Sequence, residues 1–84
     1  MKKITLNIET LKTSQEYLDL NTVKAWKERI TAGELVEIDA HFSEGDFYIL
    51  DGNHRFNALK ELGYNKINVN FYPAEEMAKY LFNV

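Results

Sequence analysis

The chain has 84 residues, no cysteine, and a formal net charge of −3 at pH 7 from 10 Lys and Arg against 13 Asp and Glu. This length predicts one domain, residues 1–84, with one modest core. The lack of cysteine excludes disulfides, thiolate metal sites and thiol nucleophiles. Because the acidic balance disfavours extended contact with a polyanion, DNA is not expected as a tight partner, whereas a local basic pocket is compatible with one nucleotide.

The N-terminal segment is predicted to form a half-buried strand, because apolar and polar residues alternate over residues 4–9. This alternation supplies no apolar stretch for a signal peptide after Lys2 and Lys3. No apolar run approaches the roughly 20 residues needed to span a bilayer. We therefore expect a cytoplasmic protein without a membrane partner.

A helix is predicted after the ambiguous residues 10–20, with Asn21 or Thr22 as its N-cap and its end before Gly33. Its apolar positions recur at helical spacing, at Val23, Trp26 and Ile30. In this stripe Trp26 is interpreted as a packing residue in preference to a platform on which a base stacks.

Residues 36–42 and 47–50 are predicted to pair as an antiparallel hairpin through the turn residues 43–46. The alternation places Val36, Ile38, Ala40 and Phe42 on one face of the first strand. The other face carries Glu37, Asp39 and His41. These three are compatible with a loose metal or acid–base site, but a solvated sheet face is the favoured interpretation because the set has no specific metal signature.

Further along the chain, a second helix is predicted with a buried stripe and with Gly63 at its C-terminal end; the stripe consists of Phe56, Leu59 and Leu62. A strand follows at Ile67, Val69 and Phe71. Pro73 is expected to begin a last helix, with Met77, Tyr80 and Leu81 available for packing.

The most informative segment is Asp-Gly-Asn-His-Arg at residues 51–55, between the apolar strand and the second helix. A helix N-terminus carries unpaired N–H groups and positive charge, so it favours an anion. His54 and Arg55 each cost roughly 0.3–1 kcal/mol there unless a negative group opposes them. That group is either a bound phosphate or Asp51, which would pair with Arg55 and brace the turn.

Each residue of this segment has a functional and a structural interpretation. Gly52 permits a ligand to approach the backbone or permits a positive φ, and Asn53 can cap the helix. His54 can donate to a phosphate oxygen, act as an acid or hydrogen-bond a neighbouring strand. Arg55 can hold phosphate in bidentate fashion. Asp51 can form the turn or, with His54, serve as an acid–base or Mg²⁺-supporting group.

Residues 51–63, followed by 67–69, resemble the ParB/sulfiredoxin superfamily in the pattern Gly-x-x-Arg, then Ala/Leu, then Gly. The resemblance extends over roughly residues 21–72, and residues 11–15 are similar to a lead-in segment of some members. Sulfiredoxins carry Cys immediately before the His-Arg pair, where this chain has Asn53, so cysteine sulfinic acid reductase activity is not expected. Partition by ParB uses a separate helix-turn-helix region, which 84 residues do not accommodate.

The resemblance implies an α/β (α+β) fold, with a small mixed or antiparallel sheet flanked by helices. It also implies that this junction receives the phosphates of ATP, ADP or CTP, with Gly52, Asn53, His54 and Arg55 in contact with them. Asp51 and His54 are the catalytic candidates for a nucleotide hydrolase or phosphotransferase, with Mg²⁺ as a possible cofactor. Whether the protein is an enzyme stays open at this point. The alternatives are a non-enzymatic module that binds a protein partner or a second copy, and a ParB-like nuclease.

Overall fold

A computed structural model describes residues 1–13, 18–73 and 76. The elements, in chain order, are β1 (Lys2–Asn7), a 3-10 turn (Ile8–Thr10), β2 (Leu11–Lys12), α1 (Leu20–Thr31), β3 (Ile38–Ser43), β4 (Asp46–Asp51), α2 (Asn53–Glu61) and β5 (Lys66–Tyr72). Residues 14 and 15 of the lead-in segment lie outside the described residues, as do Met77, Tyr80 and Leu81, the packing residues of the predicted last helix. Within the described ranges, no helix has the length and apolar character needed to cross a membrane.

The strands form one five-stranded sheet in the order β1-β5-β3-β4-β2. The β1–β5 and β3–β4 pairs are antiparallel, whereas β3–β5 and β2–β4 are parallel. This arrangement confirms the predicted α+β fold and selects the mixed sheet from the two sheet types expected. Helix α2 lies in the connection from β4 to β5, and this connection crosses β3, because β4 and β5 are the two neighbours of β3 in the sheet.

The predicted hairpin is confirmed, with β3 and β4 joined by a turn in which Glu44 (φ 51°) and Gly45 (φ 86°) both have positive φ. Positive φ at both central positions is the requirement of a type I′ turn. The first strand begins at Ile38 and not at Val36. Phe42, expected on the buried face, is 45% exposed because it lies beside the turn of the hairpin, one residue before Ser43.

The pairing of β3 with β4 shifts register close to the β4–α2 junction. Asp39 pairs with Asp51, but Ala40 pairs with Ile49, so Leu50 is the additional residue on β4. Such a bulge bends a strand and redirects its side chains, and bulges are common beside functional sites. Here the bulge directly precedes the last residue of β4.

The core lies between the sheet and the helices. It consists of Ile8, Leu11, Val23, Ile30, Ile38, Ala40, Ile49, Phe56, Ala58, Leu59, Ile67 and Val69. The predicted stripe of α1 is confirmed, with Trp26 partly buried against this core. The predicted stripe of α2 is wrong at Leu62, which is 37% exposed because the helix ends at Glu61 and Leu62 is its C-cap, leading into Gly63 at φ 89°.

Both helix N-termini differ from the prediction. The N-cap of α1 is Asp19, whose carboxylate accepts hydrogen bonds from the Asn21 N–H (2.9 Å) and the Thr22 N–H (3.3 Å). The predicted caps, Asn21 and Thr22, therefore lie inside the first turn of the helix. The N-cap of α2 is Gly52, so Asn53 is the first helical residue and not the cap. The N-terminus of α1 is thus capped by the Asp19 carboxylate, whereas the N-terminus of α2 has no side-chain cap, because its N-cap residue is Gly52.

Candidate functional site

A pocket of about 370 Å³ lies at the junction of β4 and α2. It is lined by Trp26 and by the complete predicted segment, Asp51 to Arg55. The structure therefore brings all five predicted site residues together in one pocket. Trp26 joins them from α1, which packs against α2.

Gly52 has φ 106°, a backbone conformation that side chains rarely adopt. A Cβ at this position would lie 3.0 Å from Arg55 Nη2 and 3.0 Å from Ile38 Cδ1. The positive φ and the crowding both require glycine at this position, and neither involves a ligand. The interpretation of Gly52 as a turn residue with positive φ is therefore confirmed, and close packing against Arg55 is added to it.

Arg55 folds back over its own turn, with its side chain 24% exposed. Its Nη1 donates a hydrogen bond to the Glu37 carbonyl oxygen at 3.0 Å, and its Nη2 lies 3.5 Å from Asp51 Oδ2. The bracing pair considered from the sequence is therefore present. Asp51 is 67% exposed, so this ion pair is solvated and worth at most about 1 kcal/mol. The hydrogen bond to Glu37 was not predictable from the local sequence, because its acceptor is a main-chain group just before β3.

His54 connects the two helices. Its Nε2 accepts a hydrogen bond from the Asp19 main-chain N–H at 3.1 Å. Because an N–H can only donate, Nε2 is unprotonated in this arrangement and a neutral imidazole carries its proton on Nδ1. The structural interpretation from the sequence was a hydrogen bond from His54 to a neighbouring strand, but the observed partner of His54 is Asp19, the N-cap of α1. Use of Nε2 as a donor to a phosphate requires this hydrogen bond to break.

The Asp19 carboxylate is stabilised in its charged form. The main-chain N–H groups of Thr22 and Asn21 donate to it and lower its pKa below the ordinary value of 3.8, against a smaller opposing effect of desolvation. The sequence contained a signal for this residue, since Asp is among the best N-cap residues. Asn21 and Thr22 are suitable N-caps too, so N-cap propensity alone does not select Asp19.

Asn53 makes two contacts that hold the first turn of α2. Its main-chain carbonyl accepts a hydrogen bond from Asn57 Nδ2 at 3.0 Å, and its Oδ1 accepts one from the Thr13 hydroxyl. Thr13 follows β2, and Asp19 precedes α1. Two residues from outside α2 therefore contact its first turn, Thr13 at Asn53 and Asp19 at His54.

Trp26 contributes an aromatic ring to the pocket. The Cζ atom of Arg29 lies 3.9 Å from the ring centroid, and that of Arg55 lies 5.5 Å from it. The packing role predicted for Trp26 is confirmed by its contact with the core. Its second role as a pocket residue depends on the placement of α1 beside α2, which the local sequence does not reveal.

The acidic face of β3 does not converge on a point. Glu37 pairs with Lys3 Nζ at 3.1 Å, Asp39 Oδ1 accepts a hydrogen bond from Asn70 Nδ2 at 3.0 Å, and the His41 ring stacks on Tyr48 with centroids 5.7 Å apart. Among the residues the structure describes, no group of three His, Cys, Asp or Glu is arranged to hold a metal ion. This distribution agrees with the polar sheet face favoured from the sequence.

No protein-family model and no curated protein sequence matches the chain. Solved structures do match it: sulfiredoxin from Arabidopsis thaliana is similar at 25% identity and a TM-score of 0.75, over 96% of this chain and 98% of that one. The protein has the ParB/sulfiredoxin-like fold.

Two further structures with the ParB/sulfiredoxin-like fold contain nucleotides. One is a free serine kinase variant in complex with ADP, at 18% identity and a TM-score of 0.76 over 86% of this chain. The other is C-terminally truncated ParB from Caulobacter crescentus complexed with CTP-gamma-S, at 15% identity and a TM-score of 0.73 over 100% of this chain. The chain spans 31% of the kinase and 54% of the ParB chain, so it corresponds to one part of each. At these identities the likeness shows the fold alone.

Proposed function

We propose that the protein binds a nucleotide by its phosphates in the pocket at the β4–α2 junction. One observation carries the proposal: the N-terminus of α2 has no side-chain cap, and it lines a pocket together with His54 and Arg55. The first intrahelical hydrogen bond of α2 runs from the Phe56 N–H to the Gly52 carbonyl. The N–H groups of residues 53–55 precede that bond, so they are the orphan donors that attract an anion.

The contrast with α1 supports this assignment. In α1 the Asp19 carboxylate accepts hydrogen bonds from the main chain of the first turn, so its N-terminus already has an anion. At the start of α2 the Asp51 carboxylate is exposed and lies 3.5 Å from Arg55. A phosphate is more highly charged than this carboxylate, and it can accept from main-chain N–H groups and from Arg55 together.

The neighbours of the same fold add independent support, because the kinase structure holds ADP and the ParB structure holds CTP-gamma-S. ATP, ADP and CTP are therefore the ligands to test first. Gly52, Asn53, His54 and Arg55 are the proposed phosphate contacts. The pocket volume of about 370 Å³ falls within the range of small-molecule sites.

Asp51 has the chemistry of a Mg²⁺ ligand in this pocket. Mg²⁺ is commonly bound by one or two carboxylates together with substrate phosphates and water, so a single exposed carboxylate fits this mode. The cation would supply charge neutralisation between phosphate groups. Asp51 and His54 are the candidates for acid–base assistance if a phosphoryl group is transferred or hydrolysed.

A second candidate function is a non-enzymatic interaction module that binds a protein partner or a second copy. The observation that favours it is the state of Arg55, which already contacts the Glu37 carbonyl and Asp51. In that function the segment from Asp51 to Arg55 braces a turn and binds no ligand. A nuclease is not proposed, because within the described ranges the acidic side chains of the sheet do not form a metal cluster.

Calorimetric titration with ADP and CTP, with and without Mg²⁺, separates the two functions, with adenosine and cytidine as controls. We expect both nucleotides to bind and both nucleosides to fail, with amide chemical-shift changes centred on residues 52–55. If neither nucleotide produces heat or shifts at millimolar concentration, the interaction module replaces nucleotide binding. Incubation of duplex DNA with Mg²⁺ or Mn²⁺ tests the nuclease alternative, and we expect no cleavage.

A further inference from the structure

Trp26 has a position that its packing role alone does not explain. It is the single tryptophan of the chain, and its indole is only partly buried against the core. The same side chain lines the pocket that contains the proposed phosphate contacts. An aromatic ring and an anion-binding helix N-terminus therefore belong to one pocket.

The contacts of the ring indicate what can lie against it. The guanidinium of Arg29 lies over the ring at 3.9 Å, the distance of a direct cation–π contact. Arg29 is long and 52% exposed, and its Nη2 pairs with the Glu34 carboxylate at 2.6 Å. A planar group on a half-exposed side chain therefore already lies over the indole at contact distance, and a planar base is suited to a contact at the same distance.

Arg55 relates the ring to the proposed phosphate contacts. Its Cζ lies 5.5 Å from the Trp26 centroid, so one guanidinium is close both to the ring and to the first turn of α2. A ligand with phosphates at Arg55 would have the rest of its structure within reach of the indole. Among ligands that carry phosphates, those with a flat aromatic group match this combination.

We propose that Trp26 is the platform on which the base of the bound nucleotide stacks. This inference rests on the proposed phosphate site and specifies how the other half of the ligand is held. Stacking uses the π-face that every base has, so it contributes affinity without reading the hydrogen-bonding edges of the base. The ligand class is therefore nucleoside polyphosphates, with weak discrimination between adenine and guanine.

The test compares ADP, GDP and inorganic pyrophosphate on the wild-type protein and on Trp26→Leu and Trp26→Phe. We expect Trp26→Leu to lose about tenfold in affinity for ADP and GDP and to bind pyrophosphate unchanged, while Trp26→Phe keeps most of the affinity. Tyr64→Leu is the matched control, because Tyr64 is a 46% exposed aromatic residue that does not line the pocket. Circular dichroism verifies that each variant is folded.

Wild-type fluorescence provides a readout that needs no variant, since all indole emission comes from Trp26. ADP should change the emission strongly, and saturating pyrophosphate should change it little. Pyrophosphate binding as tight as that of ADP, or ADP binding unchanged in a folded Trp26→Leu, overturns the base platform while the phosphate site stands. If the wild-type protein binds neither ADP nor pyrophosphate, the proposed function is itself overturned, and the platform with it.

Discussion

The guanidinium of Arg55 lies against the bare Cα of Gly52, at the place where any other residue would have its side chain. A Cβ on Gly52 would lie 3.0 Å from Arg55 Nη2 and 3.2 Å from Arg55 Cζ. The two residues are three positions apart, and the positive φ of Gly52 turns the chain so that Arg55 can fold back to the Glu37 carbonyl. The glycine and the arginine of the segment thus form one structural unit.

Gly52→Ala should reduce stability more than the same substitution at a glycine that also has positive φ but has no atoms close to the position of a Cβ. Gly33 is the matched control, because its φ of 102° is close to the 106° of Gly52 and a Cβ there meets no atom within 4 Å. We expect Gly33→Ala to cost about 1–2 kcal/mol from backbone strain. Gly52→Ala should cost at least about 1 kcal/mol more, because Ile38 Cδ1 in the core must also shift. Equal losses in urea unfolding would contradict the crowding at Gly52.

Arg55→Ala should weaken nucleotide binding by about 1.5–3 kcal/mol, the range for a hydrogen bond to a charged group. It should also lower the free energy of unfolding, mainly through loss of the hydrogen bond to the Glu37 carbonyl, since the contact with Asp51 is solvated and contributes little. Calorimetric titration and urea unfolding of one variant measure both quantities. Lys60→Ala is the control, since it removes the same charge from the last turn of α2. A large loss of stability with unchanged affinity would support the bracing function of Arg55.

Asp51→Asn should have opposite effects on nucleotide binding without and with Mg²⁺. In a chelating buffer we expect tighter binding by about 0.5–1 kcal/mol, because an exposed negative charge beside the phosphates is removed and Arg55 is released from it. With Mg²⁺ present, the variant should lose the additional affinity that the cation confers on the wild type. Weaker binding of the variant in the chelating buffer would show that Asp51 acts by positioning Arg55.

The Asp19 cap should stabilise the fold at neutral pH and lose this effect in acid. The folded-state pKa of Asp19 lies below the ordinary value of 3.8, so the folded protein favours the charged form. The stabilisation is therefore complete above the unfolded-state pKa and is lost as pH falls through the folded-state pKa. The free energies of unfolding of wild type and Asp19→Asn should differ by a constant amount from neutral pH to about pH 5, and the two values should converge only as pH falls through the folded-state pKa of Asp19. A difference independent of pH would exclude a contribution from the charge.

The sequence was sufficient to predict the parts of the site that depend on near neighbours. Residues 51–55 carry turn and helix-start signals after an apolar strand, and the pairing of Asp51 with Arg55 follows from their separation of four positions across the strand-to-helix turn. The contacts that fix the site come from farther along the chain. His54 receives a hydrogen bond from Asp19, 35 positions away, and Arg55 donates to Glu37, 18 positions away. Such contacts depend on the packing of α1 and β3 around α2.

The errors at element ends have local causes. Asp19, Asn21 and Thr22 all suit an N-cap, so the propensities alone did not select among them. For α2 the predicted N-cap, Asn53, lies one residue after the observed N-cap, which is Gly52 with a positive φ. The bulge at Leu50, which sets the direction of Asp51 and the following turn, has no recognised sequence signature.

The most direct test of the nucleotide site is the melting temperature of the protein with ATP, ADP or CTP and Mg²⁺, compared with the matching nucleosides. A ligand that binds the folded state stabilises it by RT ln(1 + [L]/Kd), about 2.7 kcal/mol at about a hundredfold excess over Kd. For an 84-residue domain, about 1 kcal/mol raises the midpoint by about 4–8 °C, so a saturating nucleotide should raise it by about ten degrees or more. The nucleosides, which lack the phosphates, should leave it unchanged. If millimolar nucleotide does not move the midpoint and the amide signals of Gly52 to Arg55 do not shift, the protein has no nucleotide site at this junction.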